Sequence, residues 1–202
     1  MFSTCSKTSF TQIFALLFMV MAVGFGCKDD EAKDSTIYLN YDGNNDASPA
    51  LIPGTFEAAA HFPAVTMVDY VGYDLTEVEF YINEFPDNCE VFIRSSNGSD
   101  TPGPVLHSSG NIISDIRTES WNTYVLPESY MLYGQGIWIG VRFKQDQGER
   151  IIGCDSGPAD TNGDWLYDSN DGGWIPFSSR TTANGIRIDI NWNIRGVVEI
   201  NE

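Results

Sequence analysis

The sequence predicts an all-β protein built as a single β-sandwich with jelly-roll or Greek-key connections. Apolar and polar residues alternate over short segments, turn-forming residues separate those segments, and no long amphipathic helix appears in the 202 residues. Alternation with a period of two is expected of strands that bury one face. Several such strands in succession are typical of a sandwich.

The first elements are short. A polar stretch contains a first short strand at "TIYLNY". The segment "FPAVTMVDYVGY" departs from the alternation, and we expect a helical turn there that packs Val65, Met67, Val68 and Tyr70 inward. The segment is too short and too rich in β-branched residues for a longer helix.

Three later segments, "LTEVEFYIN", "CEVFIRS" and "IWIGVRF", alternate most clearly. The breakers "NEFPDN", "SNGSDTPGP", "KQDQGER" and "SNDGG" separate the strands. The residues expected to face the core are Val78, Phe80, Ile82, Cys89, Val91, Ile93, Ile137, Ile139, Val141 and Phe143.

The N-terminal segment has the pattern of a signal peptide. Residues 1–26 contain one charged side chain, Lys7, and an apolar run of about 13 residues, "IFALLFMVMAVGF", which is short for a membrane-spanning helix. The segment ends in "VGFGC", which resembles the lipobox of bacterial lipoproteins. The resemblance implies that Cys27 is acylated and becomes the new N-terminus. An ordinary signal peptide beside a chance cysteine is the alternative.

The residues after Cys27 carry a second resemblance. "KDDEAKD" looks like the surface-export signal of Bacteroidetes lipoproteins, in which a lysine and several acids follow the acylated cysteine. The matching residues are Lys28, Asp29, Asp30 and Glu31. The alternative is a solvated acidic tether. The resemblance implies an outer-membrane protein, anchored by lipid and facing the cell exterior.

Length and charge restrict the domain count and the partners. We expect a signal peptide at 1–26, a lipidated cysteine, export signal and tether at 27–53, and one domain at 54–202. The formal net charge is −17, and it becomes −18 when Lys7 leaves with the signal peptide. Such a balance disfavours nucleic acid and anionic lipid as partners.

Two of the four cysteines remain after processing and acylation, Cys89 and Cys154. An oxidising compartment favours a disulfide between them. Two separate buried thiols are the alternative.

The second half of the chain resembles a known group of modules. "SWNTYVL", "IWIGVRF", "GCDSGP", "GDWLYDSNDGGW" and "NWNIRGVV" occur in this order. Together they are similar to the cleaved-adhesin and galactose-binding-like β-sandwich domains of secreted Bacteroidetes proteins. The resemblance covers roughly residues 56–200, and it implies binding or adhesion rather than a reaction. Packing alone also explains Trp121, Trp138 and Trp192 as strand residues. In "GCDSGP", the glycines and Pro158 make a rigid bend, within which Asp155 can cap exposed backbone amides.

Catalytic motifs are not visible. Neither histidine lies in a hydrolase motif, no nucleotide-binding loop occurs, and no pair of carboxylates stands out among the 28 acids. We therefore predict a binding protein rather than an enzyme. A surface glycosidase and a structural subunit of a surface complex are the alternatives.

The segment "DTNGDWLYDSND" suggests two kinds of site. Its oxygen side chains imitate a calcium loop, although Trp165 replaces the required glycine. A solvated pair of turns around a short strand is the simpler interpretation, and a looser Ca²⁺ site remains the alternative. The candidate metal ligands are Asp155, Asp160, Asn162 and Asp164.

The same segment is also suited to sugar binding. Aromatic rings beside carboxylates and amides supply stacking and hydrogen bonds. The candidate ligand-binding residues are Trp165, Tyr167 and Trp174, with Leu166 expected to face the core. The alternative is that these rings pack at the sheet edge. A glycan or a cell-surface protein is the expected partner.

Overall fold

The structure, a computed structural model, describes residues 36–98, 101–182 and 184–200. The predicted signal peptide, Cys27, and the export motif of Lys28, Asp29, Asp30 and Glu31 lie outside these ranges. Among the described residues, no helix combines the length and the apolar character needed to span a bilayer.

Within the described ranges, ten strands form two antiparallel sheets that pack face to face, which confirms the predicted all-β sandwich. A four-residue helix, α1 (Ala64–Met67), and three short 3₁₀ turns complete the regular structure of these ranges. The strands are β1 Ile37–Leu39, β2 Gly54–Phe62, β3 Tyr73–Ile82, β4 Asn88–Ser96, β5 Pro102–Ser108, β6 Ser120–Met131, β7 Ile137–Gln145, β8 Trp165–Asp168, β9 Gly173–Pro176 and β10 Ile194–Ile200.

Strands that are distant in sequence lie side by side. One sheet has four strands in the order β1-β10-β3-β6, and the other has six in the order β5-β4-β7-β2-β8-β9. The chain passes from one sheet to the other between β1 and β2, β2 and β3, β3 and β4, β5 and β6, β6 and β7, and β9 and β10. Such crossings are characteristic of Greek-key sandwiches.

The core lies between the sheets, and the alternation places it there. Val78, Phe80 and Ile82 of β3 are buried against Val91 and Ile93 of β4 and their neighbours. The residues between them along each strand point away from the core. All ten residues expected to face the core are buried in one continuous cluster.

The sandwich begins before the predicted boundary at residue 54. The compact unit starts at Thr36. Asp42 is buried and accepts hydrogen bonds from Arg195 at 3.0 Å and from Asn193 at 2.7 Å. Because these partners adjoin or belong to β10, the polar stretch after β1 is part of the domain rather than of a tether.

The helical turn exists, and its predicted packing is right for two of the four residues. Met67 is buried and Tyr70 packs against the core, whereas Val65 and Val68 are exposed. The turn connects β2 of one sheet to β3 of the other at the end of the sandwich, so only one side of it meets the core. Trp192 also differs from expectation, since it precedes β10 in an isolated bridge to Cys154.

Candidate ligand-binding surface

The six-stranded sheet has a second apolar cluster on the face that points away from the core. It consists of Ala59, Phe92, Trp138 and Trp165, with Trp174 packed against them. These residues come from five different strands, and on β2, β4, β7 and β8 they alternate with residues of the main core. We call this cluster the aromatic face.

The aromatic face curves inward. β9 and β4 are four strand positions apart, or about 19 Å along a flat sheet. Nevertheless the ring centres of Trp174 on β9 and Phe92 on β4 lie 6.3 Å apart. Trp138 lies between them, 5.5 Å from Trp174 and 5.3 Å from Trp165. The sheet and its side chains therefore form a concave surface with Trp174 above its floor.

A glycine in the middle strand permits this packing. A methyl group on Gly140 would lie 2.6 Å from the carbonyl oxygen of Ala58 and closer still to the ring of Phe92. The small residues Gly140 and Ala59 leave space on β7 and β2, and the rings of neighbouring strands fill it. Substitution of Gly140 would displace Phe92 from the floor.

The predicted alternation in β8 is confirmed. Trp165 and Tyr167 lie on the aromatic face, and Leu166 between them is buried in the main core. The role predicted for Trp165 changes, however, because its side chain is only 7% exposed and belongs to the floor. Tyr167 and Trp174 are half-buried and 5.8 Å apart between ring centres. They are the accessible rings of this surface.

Buried donors in the same region lack acceptors. The indole N–H groups of Trp138 and Trp165 and the Nε–H of Arg94 have no hydrogen-bond partner among the described residues. An unpaired buried donor is costly and uncommon in folded proteins. The aromatic face therefore holds donors that its own residues do not satisfy.

Ion pairs border the rings on β4, β7 and β2. Glu57 accepts hydrogen bonds from Arg94 at 3.1 Å and from the guanidinium of Arg142, and Arg142 also pairs with Glu90 at 3.1 Å. The Arg94 guanidinium lies 5.3 Å from the centre of the Phe92 ring. Two acids and two arginines make this strip nearly neutral within an acidic protein.

A pocket opens beside the floor. It has a volume of about 420 Å³ and is lined by His61, Ser96, Gln135, Asn162 and the chain around Pro63. His61 stacks on Trp138 with ring centres 4.3 Å apart, and its Nε2 lies 3.1 Å from the Ser96 hydroxyl. The pocket thus combines hydroxyl and amide groups with an aromatic wall.

The alternative of a Ca²⁺ site finds no support in the geometry of its candidate ligands. No group of three or more histidine, cysteine, aspartate or glutamate side chains within the described ranges is arranged to hold a metal ion. The Asp160 carboxylate instead accepts from the Asn162 backbone N–H at 2.8 Å, and Asn162 lines the pocket. The turns around β8 use their acids for backbone hydrogen bonds.

Asp155 is a structural clamp, as its place in "GCDSGP" suggests. It accepts hydrogen bonds from the backbone N–H groups of Gly43, Gly157 and Asn191 and from the Asn191 side chain, at 2.7–3.0 Å. Burial raises the pKa of Asp155, but these hydrogen bonds outweigh burial and leave its pKa below the usual value.

For Asp164, burial outweighs the hydrogen bonds in setting the pKa. It is fully buried, and one carboxylate oxygen accepts from the Ser178 backbone N–H at 2.6 Å, while the other has no partner among the described residues. Burial raises the pKa of Asp164, and the hydrogen bonds from Ser178 offset this only in part.

The predicted disulfide is not formed. Cys89 and Cys154 are both buried free thiols, and burial raises the pKa of each to about 12. Cys89 belongs to β4 of the six-stranded sheet, whereas Cys154 bridges Trp192, next to β10 of the other sheet. Packed sheets lie about 10 Å apart, and a disulfide requires Cα atoms within about 7 Å.

Several residues of this surface were not among the predicted site residues. The strand pattern places Phe92, Trp138 and Arg142 on the outward side of their strands, but an outward position does not by itself indicate a cluster. The inward curve of the sheet carries the missing information, because β9 lies three strand positions from β7 and Trp174 nevertheless packs on Trp138. Glu57 and His61 lie on β2. Their polar side chains, spaced an even number of residues apart in an otherwise apolar strand, were the available sign that they share its outward side.

Comparison of the chain with protein-family models, with curated proteins and with solved structures yields no match.

Proposed function

We propose that this protein is a lipoprotein of the outer membrane, displayed on the cell exterior, and that its β-sandwich binds carbohydrate in an adhesive role. The observation that carries the binding proposal is the pair of accessible rings, Tyr167 and Trp174, above an aromatic floor and beside a polar pocket.

The chemistry of this surface suits a sugar. A pyranose presents C–H groups on one face and hydroxyls around its edge, so it needs a flat aromatic ring and several donors and acceptors. Trp174 and Tyr167 supply rings. Gln135, Asn162 and Ser96 line the pocket with groups that both donate and accept.

The anchor proposal depends on the N-terminal motifs. An apolar run of signal-peptide length ends at Cys27, and acids follow at once. Two or three acyl chains hold a protein on a bilayer durably, since each buried methylene contributes about 0.8 kcal/mol. A sandwich fixed in this way is suited to bind partners at the surface.

A fatty-acid label tests the anchor. Cells grown with a clickable fatty-acid analogue are expected to label the wild-type protein but not the Cys27→Ala variant, because the thiol is the proposed point of attachment. Equal labelling of both proteins would contradict the anchor. Fractionation of the same cells measures whether the variant leaves the membrane.

A glycan array tests the binding surface. The mature protein is applied in detergent beside the Trp174→Ala variant, and the variant is expected to lose about tenfold or more in affinity, as for a stacked aromatic anchor. Trp121→Ala is the matched control, because Trp121 is also half-buried but lies on the four-stranded sheet. Equal loss in both variants, or no glycan bound by the wild type, would contradict the proposal.

A further inference from the structure

One end of the sandwich carries a patch of exposed apolar side chains. Val65, Val68, Val71 and Tyr133 are each more than half exposed. They lie in the two loops that connect β2 to β3 and β6 to β7. We call this end, with these four residues, the apolar end.

The two loops form one surface. The Gly72 N–H donates to the Leu132 carbonyl at 2.9 Å, and a methyl group on Gly134 would lie 2.9 Å from a methyl of Val71. Residues 63–72 and 131–136 contain no lysine or arginine and a single acid, Asp69. The patch is therefore suited to apolar contact rather than to attraction between opposite charges.

Strand directions place the start of the domain at this same end. Ile37 of β1 pairs with Val198, and Ile200 at the end of β10 pairs with Tyr73, the residue that follows the first loop. Ile200 and Met131 are also exposed there. The chain from Cys27 thus enters the sandwich at the apolar end.

The connection is short. Eight residues separate Cys27 from Thr36, and even a fully extended chain spans only about 30 Å between them. A domain held so close to a surface meets it at high effective concentration, so a small apolar patch suffices for frequent contact.

We propose that the apolar end rests on the lipid surface of the membrane that holds the acyl chains of Cys27. The inference depends on the proposed lipid anchor and adds an orientation to it. The strands then stand away from the bilayer. Tyr167 and Trp174, which lie at the level of Glu57 on the side of the sandwich, stay open to ligand, whereas the polar pocket borders the apolar end.

Site-specific labelling tests this orientation. Val68→Cys and Phe85→Cys introduce one reactive thiol each, because Cys89 and Cys154 are buried and Cys27 is acylated. Phe85 is the matched control for Val68, because the two side chains are 59% and 58% exposed and lie beyond opposite ends of β3. Each variant of the mature lipoprotein is labelled with a polarity-sensitive dye and inserted into phosphatidylcholine vesicles with or without brominated lipid.

The dye at position 68 is expected to lose at least twice as much fluorescence to brominated lipid as the dye at position 85. Equal quenching at both positions would overturn the inference. A blue-shifted dye at position 68 that bromine does not quench would also overturn it, since the patch would then face protein.

Mass spectrometry of the same samples separates this inference from the anchor. If Cys27 is acylated but the two dyes are quenched equally, the proposed anchor is supported and the proposed orientation is contradicted. An unacylated Cys27 removes the anchor, and the orientation falls with it.

Discussion

At the residue scale, Asp155 illustrates how one carboxylate joins distant parts of this chain. It binds backbone N–H groups of three segments, at Gly43, Gly157 and Asn191. Hydrogen bonds to a charged group contribute more than neutral ones. Asp155 therefore fixes the polar stretch after β1 against the approach to β10.

Asp155→Asn is expected to lower the free energy of unfolding by about 2–3 kcal/mol, because the amide replaces an acceptor with a donor that faces N–H groups. Chemical denaturation measures this. Asp146→Asn is the control, since Asp146 is exposed and pairs with the exposed Lys144. A loss for Asp155→Asn no larger than for the control would contradict the clamp.

The same residue predicts a pH dependence. The folded-state pKa of Asp155 lies below its ordinary value of 3.8, so its contribution is complete above that value and disappears as the pH falls through the folded pKa. The difference in stability between wild type and Asp155→Asn should therefore shrink below about pH 4. A difference that stays constant with pH would contradict this assignment.

The two buried thiols give a third prediction. Alkylation of the denatured, unreduced protein is expected to modify both Cys89 and Cys154, whereas the native protein should react slowly because burial raises each pKa to about 12. Peptide mapping by mass spectrometry measures both. Recovery of a linked pair of peptides would contradict the free thiols.

At the scale of the element, the outer side of the six-stranded sheet is held by Glu57. Its carboxylate joins Arg94 of β4 and Arg142 of β7 to β2. Because Glu57 is nearly buried, removal of its charge leaves two guanidinium groups with fewer partners.

Glu57→Gln is expected to lower the free energy of unfolding by about 2–3 kcal/mol. Glu77→Gln, on the outward side of the four-stranded sheet, is expected to change it by less than about 0.5 kcal/mol. Thermal melting of both variants measures the contrast. Similar small shifts would show that the strip of ion pairs contributes little.

The alternation of apolar and polar residues and the turn residues predicted the features that depend on neighbours in sequence. The alternation in β3, β4 and β7 correctly assigned the core side of each strand, and the turn chemistry of "GCDSGP" indicated the Asp155 clamp. The aromatic face was only partly predictable, because the burial of Trp138 depends on β9, which is far away in sequence. The disulfide prediction was wrong for a similar reason, since spacing along the chain does not reveal that Cys89 and Cys154 belong to opposite sheets.

At the scale of the whole molecule, the two ends and the sides of the sandwich have different character. The apolar end is also where the chain from the proposed anchor enters. The aromatic face lies on one side, away from the core, with Tyr167 and Trp174 accessible. The polar pocket borders the apolar end, because Pro63 and Gln135 belong to its two loops, so the accessible rings are the part of the proposed binding surface that lies farther from that end.

Ligand capture by intact cells tests the central claim most directly. Cells that express the wild type, Trp174→Ala or Trp121→Ala are incubated with a fluorescent form of the array-selected glycan, and protease shaving confirms equal display. We predict that wild-type and Trp121→Ala cells bind the glycan and that Trp174→Ala cells lose about tenfold or more in affinity. Undiminished binding by Trp174→Ala cells at equal display would contradict the claim that the aromatic face is the binding site.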